Sequence, residues 1–478
     1  MNKIMLIMPP DLYAKDGLQT GSAFPRIGVA YVAGYLRSKG ANVVILDSEV
    51  LHLTLDGVAA KIREFAPDAI GMGPFTEEIL AAYEVCKITK QINPHILTVM
   101  GGPHASAIPE RTLRECPSLD VVVCGEGEIT LMEIIQSSSL EGVKGIVFRA
   151  GDAVITTDPR ERFGIIDDLP YPAWDMFPLD AYRGILNRNF SERSGPPILQ
   201  LPIISSRGCP YQCIFCYKTL PGFRAREAVE VVDELEFNIK TYGATDFFFV
   251  DGTFGVDRKK GEAICDEIIK RGLNTKIAFE VETRVNVIND RFMAKLKTAG
   301  CVQVFFGVES GDQEMLKVIK KDITLEMAEK AVALAKKHGL ITTCTFVICL
   351  PGETKKAIKR TYLFARKLDP DFIAVGIMIP YPGTHVRELA EKGEGNYRLI
   401  SDDWRDYRKQ RGGPLELMDI NIHQLRRIHE WEYLKYFLRP RKLLFLLKNV
   451  PKKKLLTTGF DVVRNIFALS KYNTGKSS

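Results

Sequence analysis

Three cysteines stand within eight residues, in the run Cys209-Pro-Tyr-Gln-Cys213-Ile-Phe-Cys216. Thiolates at this C-x3-C-x2-C spacing on one loop can grip three corners of an iron–sulfur cube, which leaves the fourth iron without a protein ligand. An open coordination position is what a reactive metal centre needs; a site closed by four protein ligands is structural. Structural zinc is the competitor, but it wants a fourth Cys or His close by, and the next ones downstream are Cys265 and His338. Arg207 and Lys218 flank the loop and would favour thiolates and a negatively charged cluster. The other seven cysteines (Cys86, Cys116, Cys124, Cys265, Cys301, Cys344 and Cys349) are scattered among apolar neighbours and read as reduced, buried thiols of a cytosolic protein.

Stepping outward, the loop must be placed by a strand, read at Ile203–Ser206. Five further apolar strands are predicted at Asp246–Val250, Lys276–Glu282, Val302–Val308, Thr342–Ile348 and Phe372–Ile379, with helices at 227–241, 259–271, 290–298, 324–338 and 354–368 between them. Six βα units point to a partial barrel rather than a complete eight-fold one. Polar residues cluster where these strands end: Asp251-Gly252-Thr253, Glu282-Thr-Arg284 and Glu309-Ser310. Carboxylates there could accept hydrogen bonds from an ammonium group or from ribose hydroxyls.

Upstream, strands at 3–8, 42–47, Ala69–Gly73, Ile96–Met100 and Asp120–Cys124 alternate with helices near 27–39, 55–65 and 77–92, the pattern of a parallel, doubly wound α/β sheet. Such sheets bind ligands at the carboxyl ends of their strands. The loops found there are Pro9-Pro10, Gly73-Pro74-Phe75-Thr76, Gly101-Gly102-Pro103-His104 and Gly125-Glu126-Gly127-Glu128. The division that follows is a domain at 1–149, a Pro- and Asp-rich linker at 150–198, a core at 199–400 and a helical, basic region at 401–478. In the last region Leu425, Ile428, Trp431, Leu434 and Leu438 share one helical face, and 473–478 read as a frayed tail.

With Cys209, Cys213 and Cys216 at the end of a first barrel strand, the chain resembles the radical S-adenosylmethionine (SAM) superfamily. The resemblance continues in order through Phe247–Phe254, Glu282-Thr-Arg284, Phe306-Gly-Val-Glu309-Ser310-Gly311, Phe346–Glu353 and Ile379–Thr384. It implies a [4Fe–4S] cluster on the three cysteines, with SAM contacted by Phe215, Asp251, Gly252, Thr253, Glu282, Arg284, Glu309 and Ser310. Residues 1–149 resemble the Rossmann-like cobalamin-binding domain of one branch of that superfamily, through Pro25–Tyr31, Gly101-Gly-Pro-His104 and Cys124–Thr130. Cobalamin contacts are then implied at Pro74, Phe75, Thr76, Gly101, Gly102, Pro103, His104, Gly125, Glu126, Gly127 and Glu128. The Asp-x-His-x-x-Gly motif that supplies a cobalt-ligating histidine elsewhere is absent, as is common in this branch.

The implied activity is methyl transfer to an unactivated carbon, one SAM supplying the methyl group to cobalamin and a second the 5′-deoxyadenosyl radical. The branch also contains the anaerobic Mg-protoporphyrin IX monomethyl ester cyclase, so oxidative cyclisation or ring rearrangement is the alternative. A non-catalytic cobalamin or redox sensor is a third reading, against which the intact cysteine motif stands. A small-molecule substrate, compatible with a hydrophobic one, and an external one-electron donor such as flavodoxin or ferredoxin are the implied partners. The net charge of +6 over 478 residues gives no reason to expect nucleic acid. No run approaches a membrane span and the N-terminus lacks the pattern of a signal peptide, which fits the cytoplasm. The basic, aromatic 423–454 stretch could rest on a membrane surface, help shape a pocket for a hydrophobic substrate, or pack on the barrel with its charges solvated.

Overall fold

The computed structural model describes residues 2–12, 24–185, 198–218, 222–407 and 413–449. Strands β1 (Lys3–Met8), β2 (Asn42–Asp47), β3 (Ala69–Met72), β4 (Leu97–Met100) and β5 (Val121–Val123) are parallel, in the order β2-β1-β3-β4-β5. The order reverses between β1 and β3, the crevice where doubly wound sheets hold ligands. β3 and β5 are buried at every position, as helices on both faces require. Two further strands depart from the expected boundary at 149. β6 (Ile146–Ala150) and β7 (Ala153–Thr156) extend the sheet antiparallel. The start of the supposed linker is therefore a sheet edge. Gly151-Asp152 makes the two-residue hairpin, with Gly151 at φ +60°.

The second sheet begins with β8 (Gln200–Ile203), three residues earlier than the sequence suggests. The chain then leaves the barrel for a small antiparallel hairpin, β9 (Ser206–Gly208) with β10 (Phe223–Ala225). β11 (Asp246–Phe249), β12 (Ala278–Thr283), β13 (Cys301–Glu309), β14 (Ile341–Ile348) and β15 (Phe372–Ile377) follow in parallel, giving the order β8-β11-β12-β13-β14-β15. β8 and β15 are edges, so the six-stranded barrel is open, as the six βα units imply. Its strands alternate. Phe247, Phe249, Phe279, Val281, Val304, Phe306 and Phe346 are buried together in the main core, while Phe248, Glu280, Gln303, Phe305 and Thr345 between them are less buried and Glu282 is exposed. Period-two alternation sends this second set to the concave side.

The C-terminal region is not helical throughout. β16 (Tyr397–Leu399) pairs with β17 (Leu415–Leu417), a single helical turn covers Trp404–Asp406, and helices begin only at Ile422–Phe437 and Pro440–Asn449. The buried face of the first helix also differs from the expected stripe: Trp431 and Leu438 are 59% and 56% exposed. The packed side is Ile422, Leu425, Ile428, Tyr433 and Tyr436. Tyrosines can turn inward because their hydroxyls find partners, Tyr436 on the Pro370 carbonyl at 2.8 Å and Tyr433 on that of Ile373 at 3.3 Å. Lys452–Lys454 and the tail lie outside the described residues. Among the described residues no helix is long and apolar enough to cross a membrane.

Candidate active site

The cysteine loop is hung over the carboxyl end of the barrel by backbone and carboxylate contacts. Asp251, just past β11, accepts from the Ser205 amide at 3.1 Å, from the Ser205 hydroxyl at 2.9 Å, and from the Ser206 hydroxyl. These bonds fix the point where the chain swings out of β8. Burial nonetheless raises the Asp251 carboxyl. The Ile214 amide donates to the Ile319 carbonyl and the Val386 amide to the Ile214 carbonyl, both at 3.2 Å, so the loop is pinned from two sides. A Cβ at Gly252 would stand 3.3 Å from Cys209 Cβ, so the glycine lets the end of β11 pass close beneath the loop without displacing it.

The cation at the thiols comes from β12's end rather than from the loop's own flanks. Arg284 Nη1 donates to Cys213 Sγ at 3.3 Å, its guanidinium lies 3.7 Å from the Tyr211 ring centroid, and Nη2 donates to the Lys321 carbonyl. Arg207, expected to serve the thiolates, is turned away toward Glu126 and Glu128. A hydrogen bond from Cys216, with Lys321 and Arg284 nearby, brings the Cys213 thiol down to about 6; the same bond pushes Cys216 up. Lys321 Nζ meets Glu309 Oε1 at 2.8 Å, both side chains buried. Glu309 sits at a β-bulge with φ +68°. A Cβ at Gly307 would fall 2.6 Å from Glu309 Oε1 and 2.8 Å from Lys321 Nζ, so the pair occupies the space this glycine leaves.

The fold thus gathers Cys209, Cys213, Cys216, Phe215, Gly252, Arg284 and Glu309 at one end of the barrel. Cys213 and Cys216 are hydrogen-bonded to each other, and Cys209 of the same loop packs against Gly252, with no fourth Cys or His in that loop; among the described residues the three thiols are not drawn into a closed metal-ligand cluster. Glu282 is exposed on β12, Thr253 is bonded to the Gly252 carbonyl at 2.6 Å, and Ser310 is buried against Thr361 Oγ1 at 3.2 Å. Sequence reasoning missed Lys321 and Tyr211. Within Lys320-Lys321-Asp322 the buried lysine looks like any solvated charge run.

Across from this loop lie the carboxyl ends of the N-terminal sheet. Gly102, at φ +79°, would bring a Cβ within 3.0–3.2 Å of the Gly73 backbone, so the loops after β3 and β4 touch through glycine. Pro74 and Phe75 extend from that contact, with Phe75 54% exposed. Gly101 is the N-cap of the short helix Gly102–Ala107 and Pro103 stands in its first turn. Gly73 and Gly125 (φ +94°) face open space where a side chain would stand. Gly127 opens the helix Gly127–Gln136.

His104 is 1% exposed. Its Nδ1 pairs with Thr76 Oγ1 at 3.1 Å, its ring meets Trp404 edge-on at 4.8 Å, and burial brings it down to about 3, so it is neutral. Nε2 is buried without a hydrogen-bond partner among the described residues. A backbone cradle open at two glycines, with an orphaned imidazole nitrogen beside it, fits a broad ring system carrying polar edge groups. The side chains of Glu126 and Glu128, expected at the same ligand, are engaged by Arg207 and Arg224.

The two sets of loops face each other. Tyr381, beyond β15, donates to Glu77 at 3.0 Å. At Gly383 a Cβ would stand 2.5 Å from the Tyr217 ring, next to Cys216, and 3.0 Å from Ala107 Cβ. The Trp404 strap closes the side: its Nε1 donates to Glu115 at 2.7 Å, and Asp402 binds both Arg111 and Arg387, at 2.8 and 2.6 Å.

The B12 binding domain family matches residues 17–135 and the Radical SAM superfamily matches residues 203–365. The chain is 34% identical over 449 residues to an uncharacterized methyltransferase of Pyrococcus horikoshii, across 92% of this chain and 94% of that protein. It is 30% identical over 444 residues to the anaerobic magnesium-protoporphyrin IX monomethyl ester cyclase of Rubrivivax gelatinosus, across 89% of this chain and 77% of that enzyme. A solved structure of the radical SAM methyltransferase TsrM from Kitasatospora setae, with cobalamin and a [4Fe–4S] cluster bound, has the same fold: TM-score 0.66, 18% identity, 84% of this chain and 82% of that one.

Proposed function

This chain belongs to the cobalamin-binding radical SAM enzymes, and from that premise we propose that it transfers a methyl group to an unactivated carbon of a small-molecule substrate. The observation that carries the reading is a loop with the C-x3-C-x2-C spacing held at the barrel mouth, with Arg284 on Cys213, turned toward a glycine-rich cradle. When bound, the cluster supplies the electron that splits SAM, and cobalamin supplies a transferable methyl group.

This chain's residues then position and enclose. Cys209, Cys213 and Cys216 hold the cluster. Arg284 steadies the Cys213 thiolate, and the Lys321–Glu309 pair sets a fixed charge distribution beside it. Phe215, Asp251, Gly252, Thr253, Glu282, Arg284, Glu309 and Ser310 are assigned to SAM. Of these, Glu282 is the exposed carboxylate, while Asp251 and Ser310 act by shaping the loops from behind. The Pro74–Thr76, Gly101–His104 and Gly125–Glu128 loops are assigned to cobalamin, His104 through Nε2 to the ring's polar rim.

An oxygen-labile centre and reduced thiols call for the cytoplasm and for a flavodoxin- or ferredoxin-type donor. Peripheral contact with a membrane surface, if made, would run through the exposed Trp431, Leu438 and Leu444, since Lys435 and Arg441 are paired with Glu432 and Asp369.

The test is anaerobic reconstitution with iron, sulfide and cobalamin, followed by reduction in the presence of SAM. Formation of 5′-deoxyadenosine, with a product heavier by one methylene unit, is expected. The 30% identity to a cyclase favours a second reading, oxidative ring formation, which predicts deoxyadenosine without that mass gain. Absence of SAM cleavage by the fully loaded protein would leave only a sensor.

A further inference from the structure

Between the two cofactor sites lies a buried group of four charged side chains that bond to one another, two of them from the Gly125–Glu128 loop. Arg207 stands on β9, two residues before Cys209, and its guanidinium forks onto two carboxylates: Nη1 to Glu126 Oε1 and Nη2 to Glu128 Oε1, both at 2.7 Å. Arg224 on β10 reaches the same Glu126 Oε1 at 2.8 Å and also donates to the Phe163 carbonyl; the Phe163 amide donates to Glu126 Oε2 at 2.8 Å. The side chains of Arg207, Glu126 and Glu128 are 10%, 8% and 5% exposed. The ring of Tyr31 lies 5.1 Å from the Arg207 guanidinium.

Arg207 and Arg224 are direct cross-strand partners in the hairpin. Like charges placed opposite each other destabilise a two-stranded ribbon. Here one oxygen of Glu126 bridges both arginines and Glu128 supplies the second negative charge, so the hairpin that feeds the cysteine loop is completed by residues of the other domain. For stability alone, apolar side chains of similar size would serve as well as buried ion pairs. What the charges add is direction, because a planar guanidinium held by two separate carboxylates has one orientation.

We propose that Arg207 is a positioning residue that locks the Gly125–Glu128 loop onto the hairpin carrying the cluster cysteines, and so fixes the separation between cobalamin and the [4Fe–4S] cluster. The inference rests on the two-cofactor reading above. It explains why Glu126 and Glu128, in a loop at the carboxyl end of β5, turn their carboxylates toward the barrel rather than into the cradle.

The experiment uses the full chain loaded with iron, sulfide and hydroxocobalamin, comparing Arg207→Ala, Arg207→Lys and Glu128→Gln with wild type. Pulsed EPR between cob(II)alamin and the reduced cluster reads the cobalt-to-cluster distance. Iron content stays at the wild-type level in all three, hydroxocobalamin affinity falls about tenfold in Arg207→Ala, and the distance distribution widens from a single narrow peak. Arg207→Lys recovers affinity but not the narrow distribution, since an ammonium is a point charge and cannot span two carboxylates. If Arg207→Ala does not fold, the lysine and Glu128→Gln variants carry the comparison. Variants with wild-type affinity and an unchanged narrow distribution would overturn the role of Arg207 while leaving the two-cofactor reading intact. A wild-type protein that makes deoxyadenosine but takes up no cobalamin would overturn both.

Discussion

The two sheets of this molecule use the same device, parallel strands with functional loops at their carboxyl ends, but expose different chemistry. In the N-terminal sheet, β3 and β5 are buried at every residue, because helices cover both faces. Only the loops reach the crevice, and they offer mostly backbone: Gly73, Gly101, Gly102 and Gly125. In the open barrel every second residue points to the concave side, so Glu280, Glu282, Gln303, Phe305 and Thr345 reach it from mid-strand. A doubly wound sheet is therefore suited to embracing a large preformed cofactor through its backbone. A half-barrel is suited to arranging side chains around a reaction.

Substitutions can break or sharpen that contrast. The largest effect belongs to the barrel: Cys213→Ala removes one of three cluster ligands, and deoxyadenosine formation is expected to fall to the uncatalysed background, with iron content reporting the lost cluster. A smaller but still severe loss is expected on the other side from Gly102→Val, where φ is +79° and a Cβ meets the Gly73 backbone at 3.0 Å. It should weaken hydroxocobalamin binding by at least about tenfold and destabilise the domain by about 1–3 kcal/mol, leaving iron content unchanged. Equilibrium dialysis and urea unfolding measure the two.

Arg284→Leu probes whether barrel side chains tune rather than hold. Losing the 3.3 Å donor to Cys213 is expected to lower the cluster's midpoint potential. A shift of about 60 mV would correspond to one charge-assisted hydrogen bond of about 1.4 kcal/mol, read by EPR-monitored redox titration.

The mildest effect is a pH dependence in the N-terminal sheet. His104 is held neutral, down to about 3 from an ordinary 6.5. Between those values the unfolded chain binds the extra proton, so stability falls as pH falls below 6.5. Going from pH 7.5 to 5.5 should remove about 1.4 kcal/mol through this group. His104→Asn should flatten that part of the profile in urea unfolding, and an unchanged slope would mean the ring is not buried as described.

Much of this architecture was legible in the residues. The helix at 290–298 and the strands after it fall within a few residues of their expected bounds because their apolar periods are regular and Asn289, Thr324 and Thr354 cap the helices. The short hairpin β6–β7 is less legible: Gly151-Asp152 signals its turn, but its strands are only five and four residues long and run straight into a Pro- and Asp-rich stretch. In the helix at 422–437 the expected stripe is half right: Leu425 and Ile428 pack inward, but Tyr433 and Tyr436 take the place of Trp431 and Leu438 because carbonyls of the barrel receive their hydroxyls.

What the sequence by itself determined was the chemistry available: three thiols at a spacing that one loop can bend into a trigonal set, glycines where backbone must approach a ligand, and enough alternating apolar strands for two parallel sheets. Those are local facts, fixed by covalent spacing and period. Which charges serve which site was decided only by the tertiary structure. Arg284, 68 residues beyond Cys216, reaches the thiols, and Arg207, two residues before Cys209, does not. A long side chain goes to whichever opposite charge the fold brings within reach, and that distance runs through space rather than along the chain.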